Sequence, residues 1–178
     1  GDSTSEADVE KLMAGEKAVM VFTDPPYNVN YAGRGKNTSN TIKNDHMDDA
    51  KFQEFLEAVF STMKFASKPT APAYVCYASR THREFENALN ENDYGVRCQI
   101  IWVKPVASMG WGNYRWKHEP ILYAVPDGKS VQFYGDRKQY THWEFKPSDA
   151  ELLNWAKSLL TEEEEDDTSV WKIGRENV

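Results

Sequence analysis

Short apolar runs alternate with amphipathic helical patterns along the chain, and this alternation restricts the possible folds more than any other feature of the sequence. Short apolar runs are typical of buried strands, whereas apolar residues that recur every three or four positions are typical of helices. Such alternation predicts a largely parallel sheet with right-handed crossovers. The predicted strands are 18–22, 73–78, 96–103 and 120–125. The first predicted helix begins at 49, where Asp48 or Asp49 can cap it, and ends before Pro69; the others are 79–89 and 150–160.

The first and the last of these strands carry specific expectations. The continuous apolar run 18–22 is consistent with a strand buried on both faces of the sheet. No helical pattern separates 96–103 from 120–125, so these strands are expected to pair as a hairpin-like antiparallel unit. The predicted fold class is α/β, with about four main strands that are mostly parallel, an antiparallel edge strand and flanking helices.

The net charge of −7 is concentrated in one part of the sequence. Residues 161–178 contain seven acidic residues against Lys172 and Arg175, so they account for −5 and leave only −2 for the other 160 residues. An overall basic charge therefore cannot explain any binding of nucleic acid, but the acidity does not exclude a basic surface elsewhere. The acidic segment is expected to be a solvated linker.

The sequence also disfavours several classes of protein. The apolar runs are far shorter than the roughly 18 residues that span a bilayer, and residues 1–17 do not resemble a secretory signal. Cys76 and Cys98 are too few for a disulfide framework and lack the spacing of a zinc site, which favours reduced thiols. We therefore expect a cytoplasmic protein with no membrane contact and no metal site.

The sequence Asp24-Pro25-Pro26-Tyr27 follows the first predicted strand, at the position where open α/β sheets bind their ligands. It resembles the catalytic motif of the DNA amino-methyltransferases, which methylate adenine N6 or cytosine N4. The resemblance implies a partial Rossmann-like methyltransferase sheet, S-adenosylmethionine as cofactor and double-stranded DNA as partner. Aspartate at the first motif position favours site-specific adenine-N6 methylation. A simple Pro-Pro turn capped by Asp24 is the alternative interpretation.

The motif contains the groups that this reaction needs. The exocyclic amine of adenine is a poor nucleophile because its lone pair is delocalised into the ring. The carboxylate of Asp24 and the backbone carbonyl of Pro25 can each accept a hydrogen bond from the amine and draw its nitrogen toward tetrahedral geometry. Pro26 restricts Pro25, so that this carbonyl is held in one direction. Tyr27 offers a ring on which a flipped base can stack.

Other segments are similar to the same family and supply the remaining candidate residues. The later segments that resemble it are 100–105, 114–123, and 135–139 with Trp143, the last being similar to a phage and prophage branch. Residues 1–3 resemble the stretch upstream of the motif, which places Asp2 beside Asp24 among the cofactor-binding candidates. The substrate-binding candidates are Asn28, Arg34, Lys36, Lys104, Arg115 and His118.

Some of these candidates have simpler interpretations. His118 with Glu119 could form a catalytic pair or half of a metal site, but a structural hydrogen bond at the start of a strand is favoured. Trp102 and Trp116 favour packing in the core or at its rim over base stacking. The polar loop around residues 34–40 could close over the base or the phosphate backbone, or could simply be solvated.

The chain contains neither the Phe-x-Gly-x-Gly turn nor the His-Pro-Thr-x-Lys-Pro-like segment that the family uses for its cofactor. We therefore expect residues 1–178 to be the catalytic half of a methyltransferase domain, with 128–160 as a target-recognition insertion and 161–178 leading to a missing cofactor half. Such a truncated form is expected to be inactive alone and to form a homodimer through an exposed sheet edge. The alternatives are a non-catalytic fragment that binds DNA or a partner, and a methyltransferase of RNA or of protein amides.

Overall fold

A computed structural model describes residues 1–29, 44–107, 113–131, 133, 135–136 and 138–144 of the chain. Helices and strands alternate along most of this part, as the apolar pattern predicts. The elements are α1 (Glu6–Met13), β1 (Val21–Thr23), α2 (Asp49–Phe65), β2 (Ala73–Cys76), a 3-10 turn (Ser79–Thr81), α3 (His82–Glu91), β3 (Tyr94–Val103), β4 (His118–Pro126) and β5 (His142–Glu144).

The described strands form one sheet in the order β1-β2-β4-β3-β5. β1 pairs with β2 in parallel, β3 pairs with β5 in parallel, and β4 is antiparallel to both of its neighbours. The mixed α/β fold and the antiparallel pairing of β3 with β4 are thus confirmed. The prediction that the antiparallel strand lies at the edge is wrong, and a fifth strand adds to the four expected.

The reversed strand lies inside the sheet because of the connection through α3. This crossover leaves a space one strand wide between β2 and β3, and β4 returns into it directly after β3. Ile121 of β4 is thereby opposite both Cys76 of β2 and Ile100 of β3. In this arrangement β4 is paired on both sides, so its backbone N–H and C=O groups can form hydrogen bonds in both directions. At an edge of the sheet, the groups on one side of β4 would have no partner strand.

Helix α2 shows how the local sequence determines one element. The Asp48 side chain accepts a hydrogen bond from the backbone N–H of Lys51 at 3.0 Å and so caps the first turn. The helix then runs to Phe65, close to the end that Pro69 predicts. Its apolar side packs against the sheet with the following buried residues: Phe52, Leu56, Val59 and Phe60.

The main core lies between the sheet and helices α2 and α3. Phe85 of α3 is completely buried at its centre, where its ring meets those of Phe52, Phe60 and Tyr77 at centroid distances of 5.9–6.3 Å. Burial of side chains of this size supplies the dominant favourable contribution to folding. Because Tyr27 also packs edge-on against Phe85, at 6.3 Å, the core is directly coupled to the Asp24-Pro25-Pro26-Tyr27 motif.

Strand β1 corrects one prediction and supports another. Val19, Met20 and Phe22 are exposed by 55%, 52% and 52%, so the run 18–22 is not buried on both faces. The pattern could not distinguish these cases, because a continuous apolar run does not reveal whether other elements cover both faces of the strand. In the described part of the sheet β1 is an outer strand, which agrees with the expected exposed apolar edge. Self-association through this edge stays a prediction.

Other predictions fall outside the described residues. These are the roles of Arg34 and Lys36, most of the target-recognition segment 128–160 including its expected helix, and the linker 161–178. Part of 128–160 is described, however, and its residues His142–Glu144 form β5 beside β3. Among the helices that the structure describes, none combines the length and the apolar character needed to cross a bilayer.

Candidate active site

The motif Asp24-Pro25-Pro26-Tyr27 lies at the carboxyl end of β1. Thr23, the last residue of the strand, is paired with Val75 of β2, and the chain leaves the sheet directly afterwards. Pro25 is buried, whereas Asp24 exposes part of its surface. The two prolines cannot continue a strand ladder, so the chain turns at the point where an open α/β sheet binds its ligand.

Tyr27 is held in place from three directions. Its hydroxyl donates a hydrogen bond to the Asp24 carboxylate, and its ring packs edge-on against Phe85. Its backbone carbonyl accepts a hydrogen bond from the Thr81 hydroxyl at 3.2 Å. The motif is therefore anchored to the 3-10 turn and to α3. The Tyr27 hydroxyl in turn holds the Asp24 carboxylate in position.

A second carboxylate lies at the same end of the sheet. Glu119 is near the start of β4, two residues before Ile121, which is opposite Cys76 of β2. The Glu119 carboxylate pairs with the ammonium group of Lys104 at 2.6 Å, and the two side chains are only 29% and 20% exposed. Since β4 runs against its neighbours, its first residues meet the last residues of β2 and β3.

The ionisable groups here are perturbed by burial and by one another. Partial enclosure of the carboxyl group, with a further contribution from the negative charge of Glu119, raises the pKa of Asp24, although the Tyr27 hydrogen bond opposes this. Burial and the Asp24 carboxylate raise the pKa of Tyr27 as well. Burial, Asp24 and Glu119 together raise the pKa of Cys76 to about 12. Tyr27 and Cys76 are therefore neutral at physiological pH, while Asp24 has a higher proton affinity than usual.

A family comparison agrees with this geometry. The model of the N6/N4 methyltransferases, described as DNA methylase, matches residues 18–177. The match covers the motif and every strand of the sheet. This chain belongs to the N6/N4 DNA methyltransferase family. The methyl donor of this family is S-adenosylmethionine.

Solved structures of methyltransferases share the fold. M1.HpyAVI matches with a TM-score of 0.52 and 19% identity over 80% of this chain and 63% of its own. The PvuII DNA methyltransferase (cytosine-N4-specific) matches with a TM-score of 0.51 and 11% identity, over 84% and 56%. A structure of the M1.HpyAVI-SAM complex has a TM-score of 0.49 and 18% identity, over 76% and 58%. The chain thus spans less than two thirds of these proteins, and no curated protein sequence matches it.

The structure gives two candidate residues local structural contacts. Asn28 has a left-handed backbone, with φ of 57°, and its side-chain amide exchanges hydrogen bonds of 2.7 and 3.0 Å with the backbone of Met47. This ties the end of the motif to the segment before α2. Asp2 accepts hydrogen bonds from the backbone and hydroxyl of Thr4 in the turn that leads into α1. Roles of Asn28 in substrate binding and of Asp2 in cofactor binding stay predictions.

Three other candidates lie near the carboxyl end of the sheet. Lys104 directly follows β3 and is paired with Glu119. His118 begins β4 and packs edge-on against Trp116 at 5.4 Å, while Trp116 itself is 56% exposed. Arg115 is exposed in the segment before β4. Trp116 therefore belongs to the rim and not to the core.

Glu119 is not among the site residues that the sequence predicts. Its signal was present, because Glu119 is an acidic residue directly before the apolar run 120–125. The sequence favours a structural pair with His118, since no local pattern shows that β4 starts beside the end of β2. Thr81, which holds the Tyr27 carbonyl, gave no signal. Within the described residues, no group of three or more His, Cys, Asp or Glu is arranged to hold a metal ion.

Proposed function

We propose that this chain provides the base-binding side of an S-adenosylmethionine-dependent DNA methyltransferase that modifies adenine N6. The observation that carries the proposal is the partly exposed Asp24 carboxylate at the carboxyl end of β1, directly followed by buried Pro25 and aligned by Tyr27. In this arrangement a hydrogen-bonded acceptor stays accessible at the surface, as the chemistry of an exocyclic amine requires.

Each motif residue has a separate task in the proposed reaction. Asp24 and the backbone carbonyl of Pro25 each accept a hydrogen bond from one N–H group of the amine, which makes its lone pair available for attack. Tyr27 aligns the carboxylate through its hydroxyl and offers its ring to the base, which must be flipped out of the duplex. S-adenosylmethionine supplies an electrophilic methyl group when it is bound. Asp24, at the carboxyl end of β1, would lie beside this methyl donor.

The segment before β4 supports a nucleic-acid substrate. Tyr114, Arg115, Trp116 and Lys117 are all exposed, and they precede β4 at the end of the sheet where Asp24 lies. Basic side chains that alternate with aromatic rings combine attraction to phosphate with surfaces for stacking. We propose that this segment contacts the DNA next to the flipped base. The choice of adenine over cytosine rests on aspartate at the first position of the motif.

The test is a methyl-transfer assay with the complete protein that contains this chain. Labelled S-adenosylmethionine is offered with duplex DNA, RNA or protein, and the products are digested and identified by mass spectrometry. The expected product is N6-methyladenine from DNA, at a rate that Asp24→Asn strongly reduces. N4-methylcytosine would contradict the choice of base, and methylated RNA or protein would contradict the substrate class. DNA binding without any turnover would support a non-catalytic module instead.

A further inference from the structure

The ion pair between Lys104 and Glu119 has no role in the reaction as described so far. It is one of the least exposed ion pairs of the described structure, with a nitrogen–oxygen distance of 2.6 Å. Removal of two charges from water costs free energy that a surface pair does not lose. Because this pair lies at the same end of the sheet as Asp24, and not in the core, its charges can act on the candidate site.

The strand register brings Glu119 and Asp24 to one side of the sheet. Cys76 is opposite Ile121, and Glu119 lies two residues earlier on the same strand, hence on the same face. Tyr27 packs against the cluster of Cys76 and Ile121 and bonds to Asp24 through its hydroxyl. The two carboxylates therefore share one surface, with Tyr27 and Cys76 between them.

We propose that Glu119, held in place by Lys104, is a positioning residue that keeps Asp24 ready to take the proton released by the methylated amine. This inference rests on the proposed function. When the amine nitrogen takes the methyl group, an N–C bond forms, the C–S bond of the donor breaks and its electron pair stays on sulfur. One N–H proton then passes from nitrogen to the free oxygen of Asp24.

The electrostatic environment agrees with this role. The titratable groups that face Asp24 in the described structure are Tyr27, Cys76 and Glu119, and the first two are neutral at the working pH. Burial is the main cause of the raised pKa of Asp24, and Glu119 is the charged group that adds to it. A stronger base at Asp24 accepts the proton more readily.

The inference predicts opposite effects for the two members of the pair. Glu119→Gln removes the negative charge, so the pKa of Asp24 should fall. Lys104→Gln leaves Glu119 uncompensated, so the pKa of Asp24 should rise. A purely structural role of the pair would not produce shifts of opposite sign, because both substitutions break the same contact.

The measurement is an NMR titration of the free protein labelled with ¹³C at the aspartate carboxyl carbons. Asp24→Asn assigns the resonance, and Asp93→Asn, which removes the carboxylate of another ion pair, is the matched control with no expected shift. Circular dichroism verifies that each variant is folded, and if Glu119→Gln is not, Lys104→Gln alone decides by the sign of its shift. Equal midpoints in the wild type and the folded variants, or shifts of the same sign, would overturn the inference.

A kinetic measurement separates this inference from the proposed function. The acidic limb of the kcat–pH profile on duplex DNA should move with the titration midpoints, while KM for DNA stays close to the wild-type value. Absence of methylation on any nucleic acid would refute the proposed function, whatever the titration shows. Normal methylation with an acidic limb that neither variant moves would refute the inference alone.

Discussion

Strand β3 has an ion pair at each end, and the two pairs differ in how far their side chains are exposed to solvent. At its amino end, Asp93 pairs with Lys64 at 2.5 Å, and the side chains are 75% and 44% exposed. At its carboxyl end, Lys104 pairs with Glu119 at 2.6 Å, and the exposures are 20% and 29%. The geometry is nearly the same, but the surroundings are not.

The difference shows where this sheet concentrates its electrostatic effects. The amino-end pair lies in water, where charges are screened and interact weakly with other groups. At the carboxyl end β1, β2 and β3 all stop and β4 begins, so polar side chains from four strands converge in partly buried surroundings. Asp24, Tyr27 and Cys76, whose pKa values are perturbed by neighbouring ionisable groups as well as by burial, all lie at this end. Perturbation of this kind is typical of functional sites.

The largest predicted difference between the two ends is in activity. Asp24→Asn keeps the size of the side chain and its ability to accept the Tyr27 hydrogen bond, but it removes the charge and the proton acceptor. Turnover on duplex DNA should fall about 10²–10³-fold. Asp93→Asn, at the other end, should leave turnover unchanged. Retention of more than a tenth of the activity by Asp24→Asn in single-turnover kinetics would contradict its proposed catalytic role.

The next prediction concerns DNA affinity. A double substitution of Arg115→Gln and Lys117→Gln removes two exposed cations near the start of β4. Affinity for duplex DNA should decrease about tenfold, and the slope of log K against log salt should decrease by about two. Lys64→Gln, which removes a cation at the amino end, is the control and should change neither quantity. Fluorescence anisotropy at several salt concentrations measures the affinity and the salt slope. If Lys64→Gln weakened binding as much per cation as the double substitution, the attraction would be unspecific and the prediction would be wrong.

Stability should distinguish the two ion pairs less strongly. Lys104→Gln leaves the carboxylate of Glu119 partly buried without its counter-charge, so we expect a loss of about 1–3 kcal/mol in the free energy of unfolding. Lys64→Gln breaks an exposed pair and should cost less than about 1 kcal/mol. Urea denaturation of the two variants gives both values. Similar losses would mean that the surroundings of the two pairs do not differ in the way their exposures indicate.

The smallest expected effect is a dependence of stability on pH. Because the pKa of Asp24 is raised in the folded protein, the folded state binds this proton more tightly than the unfolded chain does. Ionised Asp24 therefore lowers stability at neutral pH, and this cost disappears as the pH falls through the raised pKa to below the ordinary value. Asp24→Asn should consequently be more stable than the wild type at pH 7, and the difference should vanish in acid. Urea denaturation at several pH values measures the difference in the free energy of unfolding between Asp24→Asn and the wild type. A difference that does not change with pH would contradict this prediction.

Local sequence patterns are sufficient to predict the elements that are determined by residues close together in the chain. The stripe of α2 and the cap at Asp48 determine a helix wherever the chain places it, since both act within a few residues. The same holds for the motif at Asp24, because two prolines after a strand enforce a turn at its carboxyl end. These features were predicted correctly without knowledge of any partner strand.

Pairing between distant segments was not predictable in this way. The run 18–22 has the same apolar composition whether it has one neighbour or two, and only the sheet order makes β1 an outer strand of the described structure. The substrate-binding role of Asn28 stays a prediction, and only the structure shows that its amide bonds to the backbone of Met47, 19 residues later in the chain. No periodicity near Asn28 contains information about that contact.

The sequence by itself determined the alternation of strands and helices, the motif at the end of β1 and the family to which both point. The tertiary structure decided that β4 enters the sheet between β2 and β3, and with it that Glu119 and Lys104 lie at the same end of the sheet as Asp24. The physical reason is that periodicity records only which sides of a segment avoid water. The neighbour of a strand is decided by which backbone edges the rest of the chain leaves to be satisfied.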